Sequence, residues 1–256
     1  MPPTVILVNM VTEKISDTYH VIHFDNGNVI HLVGTAHVSN QSVEEVRSII
    51  EEQHPDRVCI ELDDGRMKSK TRENSWENMD IKKILKDGKG FLLLANTALA
   101  SFQKRMGAQT GADPGAEIVG AAKLAEEMGI PVSLCDREIQ ITFRRAWGKS
   151  SVWNKCKLLA TLISAAFSNE EISEEELAEL KNEETLESMM KEVAKELPSV
   201  KEVLIDERDR YLATSIFKAE GKTKVAVIGA GHTQGIIRTF ERLEKGELSL
   251  DTSDLT

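Results

Sequence analysis

The sequence predicts an α/β fold: a central mixed β-sheet flanked by helices, built from two related halves, with a helical insertion at about residues 149–196. Three observations carry that prediction. Apolar, β-branched runs alternate with amphipathic helical patterns, the signature of strand-helix-strand units. Two of those runs read almost alike, Ile30-His31-Leu32-Val33-Gly34-Thr35-Ala36-His37 and Val225-Ala226-Val227-Ile228-Gly229-Ala230-Gly231-His232. In each, a strand pattern stops at a glycine, crosses two small residues and delivers a histidine before a helical pattern begins. Finally, Asp25-Asn26-Gly27 sits between two strand-like runs as a hairpin turn, so the chain starts antiparallel.

Taken in order, residues 5–8 form a first strand candidate, and residues 18–24 and 28–33 flank the turn. After His37, Ser39 or Asn40 caps a helix, and Val43, Val46, Ile49 and Ile50 keep helical spacing until Pro55. Residues 57–62 return as a strand whose end holds Glu61. The pattern over 75–106 is helical with a break at 87–90. Another helix opens at Asp113-Pro114-Gly115-Ala116-Glu117 and ends at Gly129-Ile130-Pro131, and residues 132–135 follow as a strand. Residues 139–167 read as helical, and residues 168–196 are acidic, with leucine and methionine at helical spacing: a solvated face, or a hairpin that packs on a second subunit. A helix over 200–217, a strand over 224–228, a closing helix over 233–243 and an edge strand over 247–250 complete the list. Residues 251–256 are polar and expected to fray. All of this is read as one domain, residues 1–256.

A chain of 256 residues can bury a sizeable core. Its net charge of -10 argues against a nucleic-acid-binding surface, which gains affinity from a basic stripe. A cytoplasmic location is expected. Cys59, Cys135 and Cys156 are odd in number and lack C-x-x-C spacing, which suggests neither a disulfide framework nor a cysteine zinc site. Cys59 and Cys135 read as buried thiols. No signal-peptide pattern opens the sequence, and no apolar run is long enough to span a bilayer. The longest, residues 91–102, is broken by Asn96, Thr97 and Ser101 and reads as a buried helix.

The repeated histidines are the first candidates for chemistry. A neutral imidazole at the carboxyl end of a buried strand is a common metal ligand, and His37 and His232 repeat one local design. In that reading Gly34 lets the backbone turn off the strand. His20, His23, His31 and His54 lack a repeated context and are taken as structural. Glu61 would be costly to bury unpaired, so it lies at the strand's mouth or beside a cation, with an ion pair to Arg66 as the structural option. Two imidazoles and a carboxylate match the ligand set of open hydrolytic metal sites, suited to zinc, manganese or cobalt. The expected cofactor is therefore one divalent metal ion on His37, His232 and Glu61, with Glu61 as general base the other option. Among the arginines, Arg66 and Arg145 rank above Arg137 and Arg208 as groups that offset charge on an oxyanion, ion pairs being the default for most. Glu117 either favours its helix dipole or faces the same mouth. Gly229, Gly231 and Gly235 also form a G-x-G-x-x-x-G variant of the dinucleotide fingerprint, a minority reading because few elements follow it.

Taken together, Gly34-Thr35-Ala36-His37-Val38-Ser39, Glu61-Leu62-Asp63 with Arg66, Pro114-Gly115-Ala116-Glu117, Asp136-Arg137 through Thr142 to Arg145, Glu207-Arg208-Asp209 and Gly229-Ala230-Gly231-His232 resemble the TraB/PrgY family of pheromone-shutdown proteins. The resemblance runs from about Val29 to Phe240. It implies a relationship to the TIKI and GumN group, whose hallmark is two Gly-x-x-His motifs plus a glutamate and whose characterised members are metal-dependent proteases. By position these are Gly34 with His37, Gly229 with His232, and Glu61. The function it implies is a divalent-metal-dependent peptidase acting on small or extended peptides, in a catalytic set of Glu61, Arg66, Arg145 and Glu117. The alternative is a regulator that binds or sequesters a peptide without cleaving it. A homodimer is the expected assembly, and relatives with a hydrophobic C-terminal region extend the expectation to membrane association in a longer form.

Overall fold

The structure is a computed structural model, and it describes residues 9–35, 40–71, 90–110, 115–167, 188, 191 and 194–256. The strand expected at residues 5–8, and most of the acidic stretch at 168–196, lie outside the described residues. The antiparallel start is β1 (Met10–Lys14), β2 (Tyr19–Phe24) and β3 (Val29–Thr35). The hairpin turn falls at Asn26-Gly27, where Gly27 takes a φ of 82° that only glycine adopts without cost. Helix α1 (Asn40–Gln53) follows, and its apolar stripe, Val46, Ile49 and Ile50, is buried. The chain leaves that helix through His54 at a left-handed φ of 42°, ahead of Pro55.

Next come β4 (Arg57–Ile60), α2 (Asp64–Thr71), α3 (Gly90–Thr110), α4 (Ala116–Glu127) and β5 (Val132–Leu134). The helical run expected over 139–167 is two helices, α5 (Ile139–Lys149) and α6 (Val152–Phe167), parted at Ser150. Helix α6, which lies within the stretch where the insertion is expected, packs against α3. A short α7 (Pro198–Lys201) runs through a π-helical turn, Glu202–Asp206, into α8 (Glu207–Lys218). The last strand and helix are β6 (Thr223–Gly229) and α9 (Ala230–Glu244).

The six strands order as β1-β2-β3-β6-β4-β5, with β1 to β3 antiparallel and β3, β6, β4 and β5 parallel. This is the mixed sheet that the sequence predicts. Both faces are covered, as a parallel sheet requires. On one face Val225, Val227, Val58 and Ile60 meet α1 and α4; on the other Ala226, Ile228, Ile30 and Leu32 meet α8 and α9. Alternate residues of β6 therefore serve opposite cores, which is why residues 225–228 are all apolar.

Two expectations at the C-terminal end are corrected. Residues 247–250 are turns and bends and do not pair with the sheet. Their sequence, Glu247-Leu248-Ser249-Leu250, has strand-like alternation, but the Glu247 N–H is taken by the Arg242 carbonyl and closes the helix end instead of pairing with a strand. Residues 251–256 do not fray: Ser253–Leu255 forms a 3-10 turn and Leu255 is buried. Arg210 holds this segment through Asp254 and the Asp251 carbonyl, and Arg137 Nη1 donates to the Leu255 carbonyl at 3.0 Å.

Candidate functional site

The parallel order brings the carboxyl ends of β3, β6, β4 and β5 into one row, the place where open α/β sheets bind ligands. The two look-alike segments lie side by side there. Gly34 pairs with Ile228 and Thr35 with Gly229. Gly34 does not turn the chain as expected. It is a regular residue of β3, and its function is spatial: a Cβ at that position would lie 2.3 Å from Thr233 Oγ1 and 3.3 Å from the Ala230 Cα, so only glycine lets α9 approach the strand. Gly229 is likewise extended, with φ of -67° and ψ of 136°, and α9 begins directly after it. His232 thus stands in the first turn of a helix rather than on a loop.

Glu61 follows β4 and is buried at the same row. Its Oε2 accepts the Gly229 backbone N–H at 2.6 Å, at the N-terminus of α9, where a carboxylate is favoured by the helix dipole. Its Oε1 accepts from Arg208 Nη2 at 2.7 Å and lies 3.6 Å from His232 Nε2. That last separation is too long for a hydrogen bond. The other imidazole nitrogen, Nδ1, is 2.6 Å from Asp209 Oδ1. Burial pushes the Asp209 carboxyl above its usual range, against the pull of the imidazole.

Arg208 is the centre of the charge network. It bridges Glu61 and Asp136, reaching the latter through Nη2 at 2.7 Å and Nε at 3.2 Å. Burial alone would lower this guanidinium, but the two carboxylates outweigh it and hold it above its usual value. Asp136 also accepts from Arg66, which bonds Asp63 in turn, so Asp136 links Arg66 to Arg208 and through it to Glu61. The expected Glu61–Arg66 ion pair is therefore replaced by Glu61–Arg208. Glu117, at the start of α4, is buried and accepts from Thr35 Oγ1 at 3.0 Å, which places it at the same strand ends.

Arg145 is not brought to this pair. Its guanidinium is bidentate on Glu207, with both bonds at 2.8 Å, in a second ionic centre shared with Arg137 and Lys149. Burial would raise the Glu207 carboxyl, but bonds from Arg145, Lys149 and Arg137 outweigh it and hold it down at about 2. His37 and Pro114 lie outside the described residues. Among the described residues no three His, Cys, Asp or Glu side chains form a metal-binding group. What they do offer is a donor pair that fits: His232 Nε2 and Glu61 Oε1, 3.6 Å apart, a span that one ion with bonds of about 2.0–2.2 Å can bridge.

Asp136, Arg208 and Asp209 are the residues that sequence reading ranked low or passed over. The signal was the charged run Asp206-Glu207-Arg208-Asp209-Arg210. Glu207 and Asp209 are buried although they flank Arg208 on one helix: Glu207 is met by Arg137, Arg145 and Lys149, and Asp209 by His232. The dinucleotide reading of Gly229, Gly231 and Gly235 gains nothing here. The space a Cβ of Gly235 would need is filled by the Asp209 carboxylate.

Fold and site together define an α/β protein with a carboxylate–imidazole pair, backed by buried arginine, at the carboxyl ends of its central parallel strands. Comparison with known sequences gives it a family. The chain belongs to the TraB/PrgY/gumN family, whose model matches residues 19–251. It is 38% identical over 232 residues to an uncharacterized protein of Methanocaldococcus jannaschii, covering 89% of this chain and 57% of that one. It is 29% identical to a TraB domain-containing protein of Bos taurus and 28% to one of Homo sapiens, over 84% of this chain in each case. The chain spans about three fifths of the length of these curated relatives. Among the described residues no helix is long and apolar enough to cross a membrane.

Proposed function

We propose that this chain is a divalent-metal-dependent peptidase acting on small or extended peptides. The observation that carries the reading is the approach of Glu61 and His232 to 3.6 Å at the ends of adjacent strands. Glu61 is 171 residues from His232, and both were singled out by residue type and position. His232, with His37 and Glu61, would hold manganese, cobalt or zinc, and a bound ion of that kind supplies a water nucleophile near neutral pH. The peptide as substrate follows from the family resemblance.

The protein's own groups have definite work in this reading. Glu61 is held by Arg208 and the Gly229 N–H; in the role of general base, the other option to ligand, it would take a proton from the attacking water and return it to the leaving amine. Arg208 holds that carboxylate in place. Glu117 and Thr35 form the neighbouring wall and offer a carboxylate and a hydroxyl to the substrate's backbone. Arg66 is linked to the site through Asp136, and Arg145, bidentate on Glu207, is given no part in the step.

The test is peptide hydrolysis followed by mass spectrometry with purified protein, with and without added Mn2+, Co2+ or Zn2+. Products should form with metal, vanish with chelator, and be lost in His232→Ala and Glu61→Gln while the circular dichroism spectrum is kept. Peptide that binds without cleavage, equally well after chelation, would establish the sequestering regulator instead.

A further inference from the structure

We infer that Asp209 is a positioning residue that fixes His232 in a single tautomer, proton on Nδ1 and lone pair on Nε2, and that the bare Cα of Gly235 is what seats it. The contact is short, 2.6 Å from Nδ1 to Oδ1, and both side chains are buried. With Asp209 Oδ1 as the acceptor of this contact, Nδ1 carries the hydrogen and the other ring nitrogen is left free. Nε2 is the nitrogen that faces Glu61.

Gly235 makes this arrangement possible. It lies three residues after His232, on the same face of α9. A Cβ there would fall 1.6 Å from Asp209 Oδ2 and 2.2 Å from its Cγ, so the carboxylate rests directly on the glycine backbone. Any other residue would lift Asp209 away from the imidazole. The third glycine of the apparent nucleotide fingerprint is thus explained by carboxylate seating. A carboxylate behind a histidine is also the usual outer partner of a metal-binding imidazole, where its loss weakens metal affinity or activity about 10–100-fold.

This inference deepens the proposed reading of His232 as a ligand, but it is measured without metal or substrate. The full chain labelled with 15N-histidine is placed in chelator at about pH 8.5, two units above the usual imidazole value of about 6.5. Long-range 1H–15N correlation then reports which nitrogen is protonated, with His232 assigned by its absence in His232→Gln. The wild-type ring should show Nδ1 protonated and Nε2 bare. Asp209→Ala and Gly235→Ala should lose that single-tautomer pattern and give an averaged one.

A wild-type ring that is protonated on Nε2, on both nitrogens, or averaged overturns the inference, and needs no variant to fold. So does an unchanged tautomer in Asp209→Ala. Failure of peptide hydrolysis with the tautomer intact would sink the peptidase reading alone.

Discussion

Arg208 shows how one side chain can govern the whole site. Its guanidinium is held between Glu61 and Asp136, and Asp136 is shared with Arg66. Removing one member of a buried ion network leaves uncompensated charge, so Arg208→Ala should cost about 3–5 kcal/mol in urea denaturation. Lysine cannot span both acids with one compact ammonium, and Arg208→Lys should recover only part of the loss. A cost below about 0.5 kcal/mol, as at ordinary surface positions, would show that the network is dispensable. Glu207 makes a different prediction. Its carboxyl is held at about 2, below an unfolded value of 4.5, so its contribution to stability is complete above pH 4.5 and lost as pH falls toward 2. Glu207→Gln lacks that contribution at every pH, so in urea denaturation it should be less stable than wild type above pH 4.5, with the difference shrinking as pH falls toward 2; a difference that does not change over that window would overturn the assignment.

At the scale of elements, the decisive contact is that of β3 with α9. Gly34 and Thr233 share a space that holds one of them only in reduced form. Gly34→Ala should destabilise by about 1–3 kcal/mol, the range for overpacking. Removing the obstructing hydroxyl restores room, because the Thr233 Cβ itself is 3.6 Å from the added methyl position. The double variant Gly34→Ala with Thr233→Ala should thus lose less than the sum of the single changes, a positive coupling in a double-mutant cycle. Strict additivity would mean that the strand relaxes away from the helix instead. The π-helical turn before α8 has a matching effect on the other side, since Glu207, Arg208 and Asp209 follow it in sequence and each engages a different partner in the interior.

Across the whole molecule, the segment 251–256 ties the chain's last described turn to the charged interior. Leu255 is buried, and its carbonyl meets Arg137, which also reaches Glu207 and the Val203 carbonyl. Leu255→Ala should cost about 2–3 kcal/mol as a large-to-small core change. Chemical denaturation would check it, and a change within experimental error would show that the segment is only draped on the surface. The first turn of α8 links the two charged centres: Glu207 faces Arg137, which holds the terminal segment, while Arg208 and Asp209 face Glu61 and His232.

Much of this architecture is legible in the sequence. The hairpin at Asp25-Asn26-Gly27, the strands at residues 57–60 and 223–229, and the buried stripe of α1 follow from periodicity and turn chemistry, which are local. Glu61 and His232 were legible as candidates because a carboxylate or a histidine at the end of an apolar run is itself a local anomaly. The partner of each was not. Arg208 lies 147 residues from Glu61, and among several arginines with acidic neighbours nothing local selects it over Arg66 or Arg145. The glycines illustrate the same divide. The sequence by itself determined only where these glycines stand, and read Gly34 as a turn off its strand and Gly235 as part of a minority nucleotide loop. Only the tertiary structure decided why: Gly34 and Gly235 are pressed by Thr233 and Asp209, a matter of which helix packs on which strand, and close approach between distant segments has no trace in the spacing of a single chain.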